Sequence, residues 1–201
     1  MTKSAQTLFW EGEFGDEYAK RCDFDPLKRV PFWKKIINHA HDAKSICELG
    51  ANIGINLKAI HQIKPEIELL GVEANKSACD KMALDTCINA IHSPIQDYKP
   101  DRKFSLVFTC GVLIHINPDD LPAIYKKMYD WSDKYILINE YFNPKPVAIE
   151  YRGNSERLFK RDFASEFMEA NDNKVKLVDY GFLWSKVEPT WDNTTWWLFE
   201  K

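Results

Sequence analysis

Residues 45–61 read S-I-C-E-L-G-A-N-I-G-I-N-L-K-A-I-H, and the turn at their centre, ELGANIG (48–54), decides how the chain folds. SICEL is a short apolar run with the length of a buried strand. NIGINLKAIHQI puts Ile53, Leu57 and Ile60 on one helical face. Between them, Gly50 permits a tight turn and a close backbone approach, and Gly54 lets the helix pack near the strand. The spacing is that of a nucleotide-binding loop, but Asn52 stands where a central glycine is often found.

The same alternation continues outward. IELLGVEA, INAIHS, FSLVFTCGVL and KYILINEYF read as strands, and KSACDKMALDTC as a helix. A further helix is expected to start at Pro118 and run through PDDLPAIYKKMYDW, with Asn117 as its cap. Strand–helix alternation implies a parallel sheet with helices on both faces. Right-handed crossovers bring the strands' C-terminal ends to one edge, where ligands bind near the switch in strand order. The tail differs: RLFKRDFASEFMEA is expected to be a helix, followed by VKLVDYGFLWSKV and TTWWLFEK as an antiparallel hairpin around EPTWDN. Trp184, Trp191, Trp196 and Trp197 read as hairpin packing.

Upstream, residues 8–42 are helical and rich in aromatics. Pro26 suits a helix's first turn with Asp25 as cap, and Phe32, Trp33, Ile36 and Ile37 form an apolar face. The division expected is an N-terminal helical cap segment, 1–42, on a sheet domain, 43–201, together one compact unit.

The 201 residues are 45% hydrophobic, enough for one substantial core, and 13% aromatic, which argues against disorder. The net charge of -3 argues against a general nucleic-acid binder. Five scattered cysteines without a C-x-x-C pair argue against a disulfide framework and a structural zinc site, and no metal site is expected. The N-terminus turns acidic where a secretory signal would be apolar, and no run is long enough to span a membrane, so a cytoplasmic protein is expected.

Glu48 separates two cofactor readings. A carboxylate beside the loop would repel a pyrophosphate, which prefers glycines at a helix N-terminus. It suits a cationic ligand with an amino-acid tail, and S-adenosylmethionine has a sulfonium, an ammonium and no phosphate. Without a diphosphate to admit, the central glycine is dispensable. Glu73, in LLGVEAN, ends the next strand, where a carboxylate can accept from both ribose hydroxyls of an adenosine.

ELGANIG, GVEAN and FSLVFTCGVLIHINPDDL together resemble the class I S-adenosylmethionine-dependent methyltransferases over residues 45–140. The resemblance implies a Rossmann-like α/β fold: a mostly parallel sheet ending in an antiparallel hairpin, with helices on both faces. A narrower resemblance spans nearly the whole chain. FWEGEFGDEYAKR, GVLIHINPDDLPAIY, EYFNPKPVAIEYRGNSERLFKRDFA and VDYGFLW are similar to the pseudaminic acid biosynthesis-associated methylases. That family's substrate assignment rests on association with sialic-acid-like sugar pathways. The resemblance therefore implies a methyltransferase for a small, polar, anionic sugar-derived metabolite.

By that resemblance Glu48, Gly50, Ala51, Asn52 and Gly54 surround the methionine part of the cofactor and Glu73 holds the ribose. Ala74 and Asn75 flank the adenine, and Ser93, Pro94 and Ile95 meet it. Cys110 and Gly111 lie under the sulfonium. His115 is either a general base or a satisfied structural histidine. Glu140 binds substrate, accepts a proton or caps a loop. Arg152, Arg157, Lys160 and Arg161 can bind a carboxylate or phosphate, or form a solvated helix start, with Tyr151 beside them. Trp10, Phe14 and Tyr18 share a helical face, which reads as core packing or as a lid touching substrate, with Gly12 and Gly15 weakening the helix. Competing readings are another small acceptor on the same fold, a nicotinamide-dependent oxidoreductase and a non-catalytic cofactor binder. Oligomeric state is not encoded in these patterns.

Overall fold

A computed structural model describes residues 3–22 and 24–201. A seven-stranded sheet runs in the order β3-β2-β1-β4-β5-β9-β8. Its parallel part comprises β1 (Ser45–Leu49), β2 (Glu68–Glu73), β3 (Ile88–His92), β4 (Phe104–Cys110) and β5 (Ser132–Glu140). β8 (Lys176–Leu183) and β9 (Thr194–Glu200) form the expected antiparallel hairpin, and β9 pairs antiparallel with β5. Strand order reverses between β1 and β4, so a crevice opens at their C-terminal ends.

Both sheet faces are buried, and period-two alternation divides the strands between two cores. Ile46, Leu106, Phe108, Leu137 and Leu198 face the helices α3 (Val30–His39) and α4 (Ile55–His61). Cys47, Val107, Ile136, Ile138 and Phe199 face α6 (Leu121–Trp131) and α7 (Phe163–Ala170). α5 (Lys76–Met82) links β2 to β3. Phe32, Trp33 and Ile36 of α3 are buried in the first of these cores, so α3 belongs to the sheet domain's packing. Asp25 caps the short 3-10 turn Pro26–Arg29, accepting from Leu27 N at 2.9 Å.

Three expectations are corrected. The helix expected from Pro118 starts at Leu121, after a 3-10 turn Pro118–Asp120 that Asn117 caps. Pro122 is the reason: its ring would clash with the carbonyl four residues back if an α-helix ran through 118–122, so it occupies a first turn instead. RLFKR is not helical either. β6 (Val147–Tyr151) and β7 (Asn154–Lys160) pair antiparallel, and Arg152 (φ 52) and Gly153 (φ 79) form the two-residue turn between them. Two successive left-handed residues match the twist of a hairpin. α7 starts only at Phe163, where Asp162 accepts from Ser165 N at 3.0 Å. Last, the aromatic N-terminal face is split between α1 (Ala5–Glu11) and α2 (Glu13–Arg21), with Gly12 extended between them. Trp10 keeps its ring contacts with Phe14 and Tyr18, at 5.3 and 5.2 Å between centroids. Among the described residues no helix is long and apolar enough to cross a membrane, and no group of metal-ligating side chains is assembled. All five cysteines are free.

Candidate active site

The crevice holds a cavity of about 190 Å³, lined from α1, α2, the C-terminal ends of β1, β2 and β4, and the loop before β9. The ELGANIG turn forms its floor. Gly50 (φ 76), Asn52 (φ 50) and Gly54 (φ 78) all adopt left-handed conformations. Asn is among the few non-glycine residues that tolerate this region, which is how Asn52 replaces the usual glycine without breaking the turn. Gly50 N and Ala51 N donate to Val72 O at 2.8 and 3.0 Å, tying the turn to β2. A Cβ on Gly50 would lie 2.5 Å from Val112 Cγ2.

Two carboxylates stand at the strand ends. Glu48 is 1% exposed; its Oε1 accepts from Asn56 Nδ2 at 2.6 Å, while Oε2 is buried without a partner. Burial raises its pKa to about 8, against the lowering effects of Asn56 and Arg29. Arg29 and Trp33 hold Asn56 from behind, donating to its Oδ1 at 2.8 and 3.2 Å. Glu73 accepts from Asn52 N and Asn75 N, both at 2.7 Å, and burial raises its pKa above the ordinary carboxylate value. A buried, partly unsatisfied carboxylate at the first position favours a cation.

Asn75 joins the site to the N-terminal helices. Its Oδ1 caps α5 by accepting from Ala78 N at 2.8 Å, and its Nδ2 donates to Trp10 O at 3.2 Å and to Asp16 Oδ1 at 3.0 Å. α1 and α2 therefore cover the cavity, with Gln6, Thr7, Trp10 and Tyr18 on its wall.

His115 lies at the far end, 8% exposed, with its Nδ1 2.6 Å from Arg157 O. A carbonyl only accepts, so Nδ1 carries the proton and Nε2 is the basic nitrogen. Burial lowers the pKa to about 4, despite the Arg157 contact, and the ring is neutral near pH 7. Glu140 lies beneath the same loop, fully buried. It accepts from Val112 N at 3.0 Å, Leu113 N at 3.1 Å and Ile114 N at 3.4 Å, which is a loop cap. Burial raises its pKa to about 7, and Glu140 does not line the cavity.

Of the residues singled out in the sequence, Glu48, Gly50, Ala51, Asn52, Glu73, Ala74, Asn75, Pro94, Ile95, Cys110, Gly111, His115, Trp10, Gly15, Tyr18 and Trp191 line this cavity. Gly54 instead admits Met82 and Ile88 against the head of α4, and Ser93 turns to donate to Pro94 O at 2.9 Å. The basic cluster is not assembled on the cavity. Arg152 is exposed at the β6–β7 turn, and Arg157 lies over Phe9 at 5.2 Å. Lys160 lies over Tyr141 at 5.0 Å, and Arg161 is paired with Glu166 at 2.7 Å. From that stretch Tyr151 and Leu158 line a neighbouring pocket, and none of the four basic side chains does. Arg29, Asn56, Asn139, Asp192 and Thr194 line the main cavity without having been singled out. Asn56 was within reach of sequence reasoning, eight residues after Glu48 on the helix that the turn opens. Asp192 and Thr194 come into place only through the pairing of β9.

No protein-family model and no curated protein matches the chain. Solved structures do. Magnesium protoporphyrin IX methyltransferase (ChlM) from Synechocystis PCC 6803 with bound SAM is 11% identical, covering 100% of this chain and 98% of its own, with a TM-score of 0.69. A S-adenosylmethionine-dependent methyltransferase from Clostridium acetobutylicum ATCC 824 is 12% identical, covering 94% and 97%, with a TM-score of 0.63. The N-terminal domain of EvdMO1 with SAH bound is 18% identical, covering 88% and 80%, with a TM-score of 0.62. The chain thus has the Rossmann-like α/β fold of S-adenosylmethionine-dependent methyltransferases, with a mostly parallel sheet closed by an antiparallel hairpin.

Proposed function

We propose that the protein is an S-adenosylmethionine-dependent methyltransferase acting on a small polar acceptor. The observation that carries this is Glu48: a buried carboxylate at the end of β1 with one oxygen unpartnered beside the glycine turn. It fits the ammonium of an amino-acid tail and opposes the pyrophosphate of a nicotinamide dinucleotide. When bound, the cofactor supplies an electrophilic methyl group on a sulfonium. Glu48 neutralises the ammonium, with Asn56 and Arg29 fixing the carboxylate's position. Glu73 has lone pairs left to accept from ribose hydroxyls, and Ala74 and Ile95 offer apolar contact to the adenine. Cys110 and Gly111 form the wall at the transferring end, and His115 Nε2 is available to take a proton from a hydroxyl acceptor. Most of the acceleration comes from holding acceptor and methyl in line.

The resemblance to the pseudaminic acid biosynthesis-associated methylases supports a sugar-derived acceptor. The anionic part of that expectation loses its support, because the arginines that would bind the anion stand off the cavity. The experiment is calorimetric titration with S-adenosylhomocysteine and, separately, NAD, on wild type and Glu73→Ala. Micromolar binding of S-adenosylhomocysteine alone, lost in the variant, is expected. Binding of NAD in its place overturns the proposal.

A further inference from the structure

We infer that the methyl acceptor is an amine, received as its ammonium between Asp192 and the aromatic walls formed by Tyr18, Tyr141 and Tyr151. This rests on the methyltransferase reading and names its substrate class. The main cavity adjoins a second pocket of about 30 Å³, and Tyr18, Gly111, His115, Asp192 and Thr194 line both. Tyr141 and Tyr151 wall the far side. A single water needs about 10–15 Å³ of such space, so the pocket takes a headgroup of about two heavy atoms, not a whole sugar.

Asp192 is the pocket's carboxylate, and among the described residues no lysine or arginine lines it, while Arg21, Lys160 and Arg152 lie over Tyr18, Tyr141 and Tyr151 at 5.8, 5.0 and 5.8 Å. His115, within 5.0 Å of Tyr151 and 4.5 Å of Trp10 between ring centroids, is neutral near pH 7. Phenol rings and a carboxylate attract a cation. Thr194 Oγ1 is buried and finds no partner among the described residues, so an acceptor oxygen waits for an incoming N–H. A carboxylate or phosphate group would meet the Asp192 carboxylate with no lysine or arginine in the described lining.

The route for the proton is open, because Asp192 is exposed to solvent at the mouth. The ammonium gives one proton to water there and regains its lone pair. The nitrogen then forms a bond to the methyl carbon as the carbon–sulfur bond breaks, sulfur keeping that electron pair. The methylated nitrogen carries the positive charge away.

The test uses one pyranose with three charges. D-glucosamine, D-glucose and D-glucuronate are titrated onto the S-adenosylhomocysteine-saturated protein, with ligand-observed NMR giving each Kd. Glucosamine is expected to bind about five- to ten-fold more tightly than glucuronate, the size of a solvent-facing ion pair plus a cation–π contact. Asp192→Asn, again titrated at saturating S-adenosylhomocysteine, should erase that preference. Equal binding of all three, a preference for glucuronate, no glucosamine binding, or a preference that survives in Asp192→Asn would each overturn the inference. Failure of S-adenosylhomocysteine itself to bind is a separate result and sinks the methyltransferase reading beneath it.

Discussion

Cofactor binding should expel a proton from Glu48. Burial holds this carboxyl at about 8. At pH 7, one unit lower, about 0.9 of the molecules carry the proton, and at pH 8 about 0.5 do. An ammonium placed at the unpartnered Oε2 favours the ionised form and pulls the pKa back toward the ordinary carboxylate value. Each binding event at pH 7 then releases up to about 0.9 proton, and affinity rises nearly ten-fold between pH 6 and pH 7. Titration calorimetry with S-adenosylhomocysteine in buffers of different ionisation enthalpy measures the number directly, as the slope of observed enthalpy against buffer enthalpy. Glu48→Gln keeps an oxygen for Asn56 Nδ2 but cannot ionise, so its slope should fall well below that of wild type. What remains in the variant belongs to other groups, Glu73 first. Binding without proton release in wild type, or an unchanged slope in Glu48→Gln, would refute the assignment of Glu48 to the ammonium.

Four further outcomes are expected. Stability of the ligand-free protein should fall as pH rises from 6.5 to 8, measured by chemical denaturation. Glu48 and Glu140 sit above their ordinary value at about 8 and about 7, so the folded state binds more protons than the unfolded one, and that stability is lost as they ionise. His115 opposes this only below its ordinary 6.5, being held at about 4. Nitrogen–proton correlation NMR should show His115 protonated at Nδ1 alone down to about pH 4; a midpoint near 6.5 would contradict the buried contact with Arg157. Gly50→Ala should cost about 1–3 kcal/mol in denaturation, since φ is 76 and the new methyl would press on Val112. Asn75→Asp keeps the acceptor that caps α5 but sets a carboxylate against Trp10 O and Asp16. Hydrogen exchange should accelerate in α1 and α2 while α5 stays protected, whereas equal loosening of both would mean that Asn75 is only a helix cap.

The parts of this fold that could be read in the chain are those with local causes. The five parallel strands carry their own apolar runs, and the first turn carries its glycines, so sheet, crevice and glycine turn followed from neighbours in sequence. Asn52 made the loop look irregular, yet its amide side chain is compatible with the left-handed backbone the turn demands. The β6–β7 hairpin was hidden for a different reason. Leu158, Phe159, Phe163 and Phe167 also fit a helical face, and what overrules that periodicity is Arg152–Gly153, a turn visible only once both flanks are seen to pair. Charge was the least legible feature. Four basic residues close together read as an anion site, but a strand sends alternate side chains to opposite faces and a partner on α7 takes Arg161. Asp192 was unremarkable in EPTWDN, and it reaches the pocket because β9 pairs beside β5 and brings the preceding loop to the sheet edge where Glu48 and Cys110 end their strands. The charge at this pocket is therefore set by which loop the last strand carries there, and not by the charge density of any one segment.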